Sequence, residues 1–304
     1  MTDHDTVGPL LAQLARPRIE NPIRLAVIAD PHVAARSGTW KVTHRSRSRF
    51  ERALDHAHSC DMAVLAGDLT GDGREASFET VEACLSELAV PWVAVPGNHD
   101  VPKAFDDHEG RPVSAFEDRY TPGLPFTREV GRVTLVGVDT ATDGSDRLGE
   151  TWGGRVGAPT RRWLGDTLPG LEHPVVLLHH NLGSLPETPR GAWSNFQVDD
   201  AAATREILVS NDVALVLSGH HHVPAVLGHC GPRELVAPAV CSYPQAMLDV
   251  RIGPSGTSVR LVPLADRTEV TEARRYAERG TPLAVGLLEA VDRRLGDLPL
   301  YTDR

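Results

Sequence analysis

The stretch VALVLSGHHHVPAVL, residues 213–227, is where the chain changes its rhythm. Upstream, short apolar runs stand at IRLAVIAD (23–30), MAVLAGD (62–68), WVAVPGNHD (92–100), VTLVGVDT (133–140) and VVLLHHN (175–181). Helical patterns separate them, at about 44–58, 74–89, 159–168 and 198–211. Uninterrupted apolar runs suit strands buried on both faces. Their alternation with helices predicts βαβ units and a largely parallel sheet. Downstream, VPAVL (223–227), RELVAPAV (233–240), AMLDVRI (246–252) and SVRLVPL (258–264) follow closely with no helix between them. GPSG (253–256) predicts a hairpin for the last pair. This half reads as antiparallel. Two sheets face to face, with helices outside, would house both halves in one domain.

The upstream runs share a second property. Nearly all end in side chains that can hold a metal: Asp30 with His32, Asp68, Asn98 with His99, His179, and His220 with His222. Singly, each has an ordinary explanation. An Asp after a strand commonly caps a helix or forms a turn, and a loop His commonly faces solvent. Those explanations give no reason for oxygen and nitrogen donors to recur at one kind of place. In open α/β sheets the carboxyl edge of the strands is where ligands bind.

In order, the blocks are D-x-H (Asp30, His32), G-D (Gly67, Asp68), G-N-H-D (Gly97 to Asp100), His179 and G-H-x-H (Gly219, His220, His222). This set resembles the calcineurin-like metallophosphoesterase superfamily over about residues 24–265, closest to its class III cyclic-nucleotide phosphodiesterase-like branch. The resemblance implies an α/β fold, a four-layer α/β/β/α sandwich of two mixed sheets flanked by helices, with the metal site at the C-terminal strand edges. It implies two divalent ions, one held by Asp30, His32, Asp68 and His222, the other by Asp68, Asn98, His179 and His220, with Asp68 shared. Without a thiolate, such donors suit Mn²⁺, Fe²⁺/Fe³⁺, Zn²⁺, Ni²⁺ or Co²⁺ without choosing among them.

On an extended segment alternate side chains share a side, so His220 and His222 would face the metals and His221 away. His180 reads as a bystander beside His179. The implied reaction is in-line attack on phosphorus by hydroxide bridging the ions. His99 would lie over the site and assist the leaving oxygen, with Asp100 orienting it through the other ring nitrogen.

The substrate expected is a small phosphodiester, such as a cyclic nucleotide. A phosphomonoesterase or nuclease of the same superfamily, or a non-catalytic scaffold on this fold, are the alternatives. A purple-acid-phosphatase type would need a Tyr near the shared Asp, and Leu69, Thr70 and Gly71 offer none. Asn181 and the 181–198 loop read as substrate-specific, with Arg190 and Trp193 beside Asn98 as candidate substrate contacts and Phe196 as a further aromatic. Arg45, Arg49 and Arg52 read as a solvated basic face that could steer anions. CSYPQA (241–246) reads as pocket lining.

The 304 residues can bury a sizeable core. A net charge of −10 argues against a general nucleic-acid binder. Cys60, Cys84, Cys230 and Cys241 form no metal or disulfide pattern, which with the acidic start predicts a cytoplasmic protein. No apolar run is long enough to span a membrane. The expected division is a helical extension over 1–22, the catalytic domain over 23–267, and a helical appendage over 268–304. The last could pack on its own domain or support a dimer.

Overall fold

The structure is a computed structural model and describes residues 8–34, 40–103, 110–142, 152–185, 196–228 and 231–303. Two mixed sheets pack face to face. The first runs β13–β1–β12–β11–β2–β3–β4: β1 Leu10–Leu14, β2 Ile23–Ile28, β3 Met62–Leu65, β4 Trp92–Ala94, β11 Ala246–Gly253, β12 Gly256–Pro263 and β13 Tyr301–Thr302. The second runs β5–β6–β7–β8–β10–β9: β5 Phe126–Val130, β6 Val133–Gly137, β7 Pro174–Leu177, β8 Leu215–Ser218, β9 Ala225–Leu227 and β10 Arg233–Val236. The parallel sets β2–β3–β4 and β6–β7–β8 are the apolar runs of the sequence.

Strand alternation sorts the core into layers. Leu25 and Val27 of β2 face the second sheet and meet a cluster that includes Leu135, Val175, Leu177 and Leu217. Ala26 and Ile28 face outward. There they pack with α1 Thr43–Ala57 and α2 Glu75–Leu85, through Phe50, Leu54, Phe78 and Val81. α3 Val113–Tyr120 adds Phe116 and Tyr120 to this layer. The second sheet turns Val136, Val176 and Val216 toward α4 Ala158–Thr167 and α5 Ala201–Ser210, which offer Leu164 and Leu208. Helix, sheet, sheet, helix is the expected order of layers.

Two expectations need correction. The described part of the N-terminal segment is a strand, not a helix: β1 pairs antiparallel with β12 and parallel with β13. LLAQL carries apolar residues at spacings that fit a helix, and a partner some 250 residues away overrides that preference. The second half is not purely antiparallel, since β10 pairs parallel with β8. Its crossover is made by β9 and its turns rather than by a helix. The sequence pattern placed no element at α3, β5 or β13.

At the C-terminus, α6 Arg267–Glu278 and α7 Pro282–Gly296 form the helical tail. Leu287, Ala290 and Val291 of α7 pack on Val223, Ala225 and Leu227, so its apolar side is covered by its own chain. Asp266 and Glu269 close a reciprocal cap at the start of α6. Among the described residues, no helix is long and apolar enough to cross a membrane.

Candidate metal centre

The loops after β2, β3, β4, β7 and β8 carry Asp30/His32, Asp68, Asn98/His99, His179 and His220/His222. Backbone hydrogen bonds tie these loops to one another. Asp30 N donates to Gly67 O at 3.1 Å, His32 N to Asp68 O at 3.0 Å, and Gly219 N to His179 O at 3.0 Å. A lone parallel bridge between Ala29 and Ala239 joins the same region. The seam between the sheets therefore gathers donors from both.

The backbone there is strained. Nine non-glycine residues among those described have positive φ, and five are Asp30, His32, Asp68, His220 and His222, at φ 45 to 68°. Left-handed backbone costs on the order of 1–3 kcal/mol per residue and clusters at functional sites. The motif glycines have a packing reason. A Cβ on Gly97 would lie 2.2 Å from Asp68 Oδ1, and one on Gly67, itself at φ +87°, would lie 2.5 Å from His179 Nδ1.

Two sets of donor atoms result. In the first, His32 Nε2 lies 3.3 Å from His222 Nε2, 3.3 Å from Asp68 Oδ2 and 3.8 Å from Asp30 Oδ1. His222 Nε2 is 3.3 Å from Asp30 Oδ1. In the second, His179 Nε2 lies 3.5 Å from Asp68 Oδ1 and 3.3 Å from Asn98 Oδ1. The His220 ring stands 5.1 Å from the His179 ring. Donors about 2.0–2.2 Å from one ion stand roughly 3–3.5 Å apart. Asp68 offers one oxygen to each set.

The donors also fit divalent cations by what they lack. Asp30 Oδ1 and His220 Nε2 are buried without a hydrogen bond. Their neighbours hold the opposite ring atoms: His179 Nδ1 donates to Ala66 O at 2.7 Å, and His222 Nδ1 is 2.7 Å from Ser242 Oγ. The carbonyl fixes the His179 tautomer that leaves Nε2 for an ion, and the hydroxyl orients the His222 ring. Burial would raise Asp30 and Asp68, but His222 and His32 around the first, and His179, His99 and His32 around the second, hold both below the usual range. Burial would lower His179, yet Asp68 and then Asp30 outweigh it and raise its pKa to about 9. Burial and then Lys41 push His32 down to about 3.

The expected site residues come together with the following exceptions. Arg190 and Trp193 lie outside the described residues. Asp100 does not orient His99. Its carboxylate accepts from Leu69 N, Thr70 N and Oγ1, and Gly97 N at 2.7–3.1 Å, joining the G-D and G-N-H-D loops. Burial, then Asp68, raises its pKa to about 7. The partner of His99 Nδ1 is Gly71 O, at 2.9 Å. Asn181, read as substrate-specific, is buried and donates to Ser218 Oγ at 2.7 Å and Gly219 O at 3.3 Å.

The histidine run is bent rather than extended, with His220 and His222 both left-handed, so its alternation argument fails. His221 still belongs to none of the metal-capable groups among the described residues, whereas His180 does, beside His179 and His220. His180 Nδ1 is also 2.9 Å from Thr140 Oγ1. Arg45, Arg49 and Arg52 are ion-paired to α6, and Arg49 is buried.

Several neighbours were missed. Lys41 Nζ is 3.0 Å from His99 Nε2. The Trp40 ring stands 5.5 Å from His222, and Trp152 stacks on His99 at 5.8 Å, with Lys103 Nζ 4.8 Å from the Trp152 ring centroid. The chain has only two lysines, Lys41 and Lys103, and both stand here. That coincidence was the available signal.

A family model described as calcineurin-like phosphoesterase matches residues 23–224. The chain belongs to this family. Among its curated relatives, the 3′,5′-cyclic adenosine monophosphate phosphodiesterase CpdA of Escherichia coli K12 is 26% identical over 278 residues, covering 85% of this chain and 92% of that protein. A probable cyclic nucleotide phosphodiesterase of Psychrobacter sp. strain PRwf-1 is 26% identical over 221 residues, or 69% of this chain; the match spans 62% of that protein's length. In fold, the chain resembles purple acid phosphatase PPD1 from yellow lupin seeds, with a TM-score of 0.60 and 13% identity over 83% of this chain and 53% of that one.

Proposed function

We propose that this protein is a dinuclear metal-dependent phosphodiesterase acting on a small phosphodiester, a cyclic nucleotide or a similar compound, in the cytoplasm. The observation that carries the reading is Asp68, whose two carboxylate oxygens point into two separate donor sets 3.3–3.5 Å away. The names of the Escherichia and Psychrobacter relatives point to the same substrate class. The described cysteines, Cys60, Cys84 and Cys241, are free thiols, in keeping with a reducing compartment.

Asp30, His32, Asp68 and His222 would hold one ion, and Asp68, Asn98, His179 and His220 the other. When bound, the pair supplies Lewis acidity toward the phosphoryl oxygens and a nucleophile from water at neutral pH. The chain's own groups do the rest. His99, fixed through Nδ1 by Gly71 O, presents Nε2 toward the leaving oxygen. Lys41 brings a cation to the same place. Trp152 stacks against His99.

The test is hydrolysis of bis(p-nitrophenyl) phosphate and cyclic AMP by EDTA-treated protein, before and after adding Mn²⁺, Fe²⁺, Zn²⁺, Ni²⁺ or Co²⁺, with metal content measured. Turnover should require metal, about two ions should bind per chain, and Asp68→Asn should lose at least about a hundredfold in activity. No turnover with any of these ions overturns the proposal.

A further inference from the structure

A cavity of about 1530 Å³ opens from His32 and His99 and runs to Arg279 and Gly280 beyond the end of α6. Pockets for a single small ligand usually measure about 300–1,000 Å³, so there is room beyond one nucleotide. One wall is a face of α6, on which Thr268, Thr271, Arg275 and Arg279 follow at helical spacing.

The lining is basic in a chain of net charge −10. Six lysine or arginine side chains line it, against three carboxylates, Asp72, Glu269 and Glu272. Those acids are already engaged. Glu269 meets Arg49 at 3.1 Å and Arg52 at 2.7 Å, Glu272 meets Arg45 at 3.2 Å, and Asp72 accepts from Ser77 Oγ at 2.7 Å. Arg267, Arg275 and Arg279 are exposed to the cavity and have no carboxylate partner among the described residues. The helix dipole accounts for cations at the end of α6, but not for Arg267, which stands in its first turn where a cation is disfavoured.

We propose that this wall binds a second anionic group of the substrate, so that the preferred phosphodiester carries a phosphate besides the scissile one. The inference rests on the phosphodiesterase reading and narrows it, since a cyclic mononucleotide has only the scissile phosphate. The scissile group would lie at the metal centre, and the second phosphate against Arg275 and Arg279.

The experiment compares adenylyl-adenosine with its 5′-phosphorylated form, two substrates with the same scissile bond. The phosphorylated dinucleotide should have a kcat/KM about tenfold higher, the gain of one charge-assisted contact. In Arg275→Gln/Arg279→Gln that ratio should fall to about one, while Arg128→Gln, an exposed arginine on β5, keeps it. A ratio of one in the wild type, with bis(p-nitrophenyl) phosphate still hydrolysed, overturns the second-anion site and leaves the phosphodiesterase reading standing. If no phosphodiester is hydrolysed, that reading falls. The site is then judged by binding of the same two dinucleotides to EDTA-treated protein, followed by tryptophan fluorescence, since Trp40 lines the cavity. Equal binding of both, or no loss in the double variant, overturns it.

Discussion

His99 has a different partner at each ring nitrogen, and that division defines what it can do. Nδ1 faces the Gly71 carbonyl, and Nε2 faces Lys41 Nζ at 3.0 Å, so a substrate would meet Nε2 with the lysine beside it. Burial, and next Lys41, hold its pKa well below the ordinary histidine value. In the proposed reaction its contribution grows with the basicity of the leaving oxygen. His99→Ala should therefore retain its metal content and lose about 10²–10⁴-fold in kcat on cyclic AMP, the range for a lost acid–base group. The loss should be much smaller for p-nitrophenolate, which leaves without a proton. Metal analysis beside kinetics on both substrates checks this, and a variant stripped of metal would show that His99 is a ligand instead. The donors of this site were readable in the sequence because each follows a strand, and strands place their ends predictably. Asp100, Lys41 and Trp152 were not. Their partners are set by how loops fold back on one another, and no periodicity announces that.

Helix α6 depends on α1 through a carboxylate shared by two arginines. Arg49 is buried, and its guanidinium reaches Glu269 Oε1 at 3.1 Å, while Arg52 takes the other oxygen at 2.7 Å. The Arg52 hydrogen bond is the leading cause that holds Glu269 down to about 2, against an opposing effect of burial. A carboxylate with a depressed folded pKa stabilises above its unfolded value, here 4.5, and loses that contribution as pH falls through its folded value. Glu269→Gln keeps the N3 side chain of the capping box but removes the charge, leaving buried Arg49 without a counterion. Urea unfolding at pH 7 should show a loss of about 1–3 kcal/mol. The difference from wild type should narrow as pH is lowered from 4.5 toward 3. A gap that stays constant over that range would mean the ion pairs contribute nothing. From the sequence, these arginines looked like a solvated face, because helical spacing shows which side chains stand together and not what covers them. The α1 and α6 helices themselves were legible. β1 was not, since its pairing partner lies at the other end of the chain.

The two sheets meet at a seam that holds the buried carboxylates of Asp30 and Asp68 and, among the described residues, five of the nine non-glycine residues with left-handed backbone. Asp30 and Asp68 are 0% and 2% exposed, and each stands within 4 Å of histidine nitrogens. Such a site opposes folding until something binds it, because buried charge is costly when incompletely compensated. Strained backbone adds to that cost. The donors come from loops of both sheets, so the arrangement exists only in the folded chain, and an ion that binds there stabilises the whole molecule by mass action. At an ion concentration one hundred times its dissociation constant, one site contributes about 2.7 kcal/mol. For a chain of this size that corresponds to a rise of roughly 5 °C in melting temperature. EDTA-treated protein should therefore melt lower than the same protein with Mn²⁺ restored, and Asp68→Asn, which lacks the shared carboxylate, should show little of that rise. Calorimetric melting of both proteins with and without Mn²⁺ makes the comparison. An identical melting temperature with and without every divalent ion tried would mean that the gathered aspartates and histidines do not hold metal.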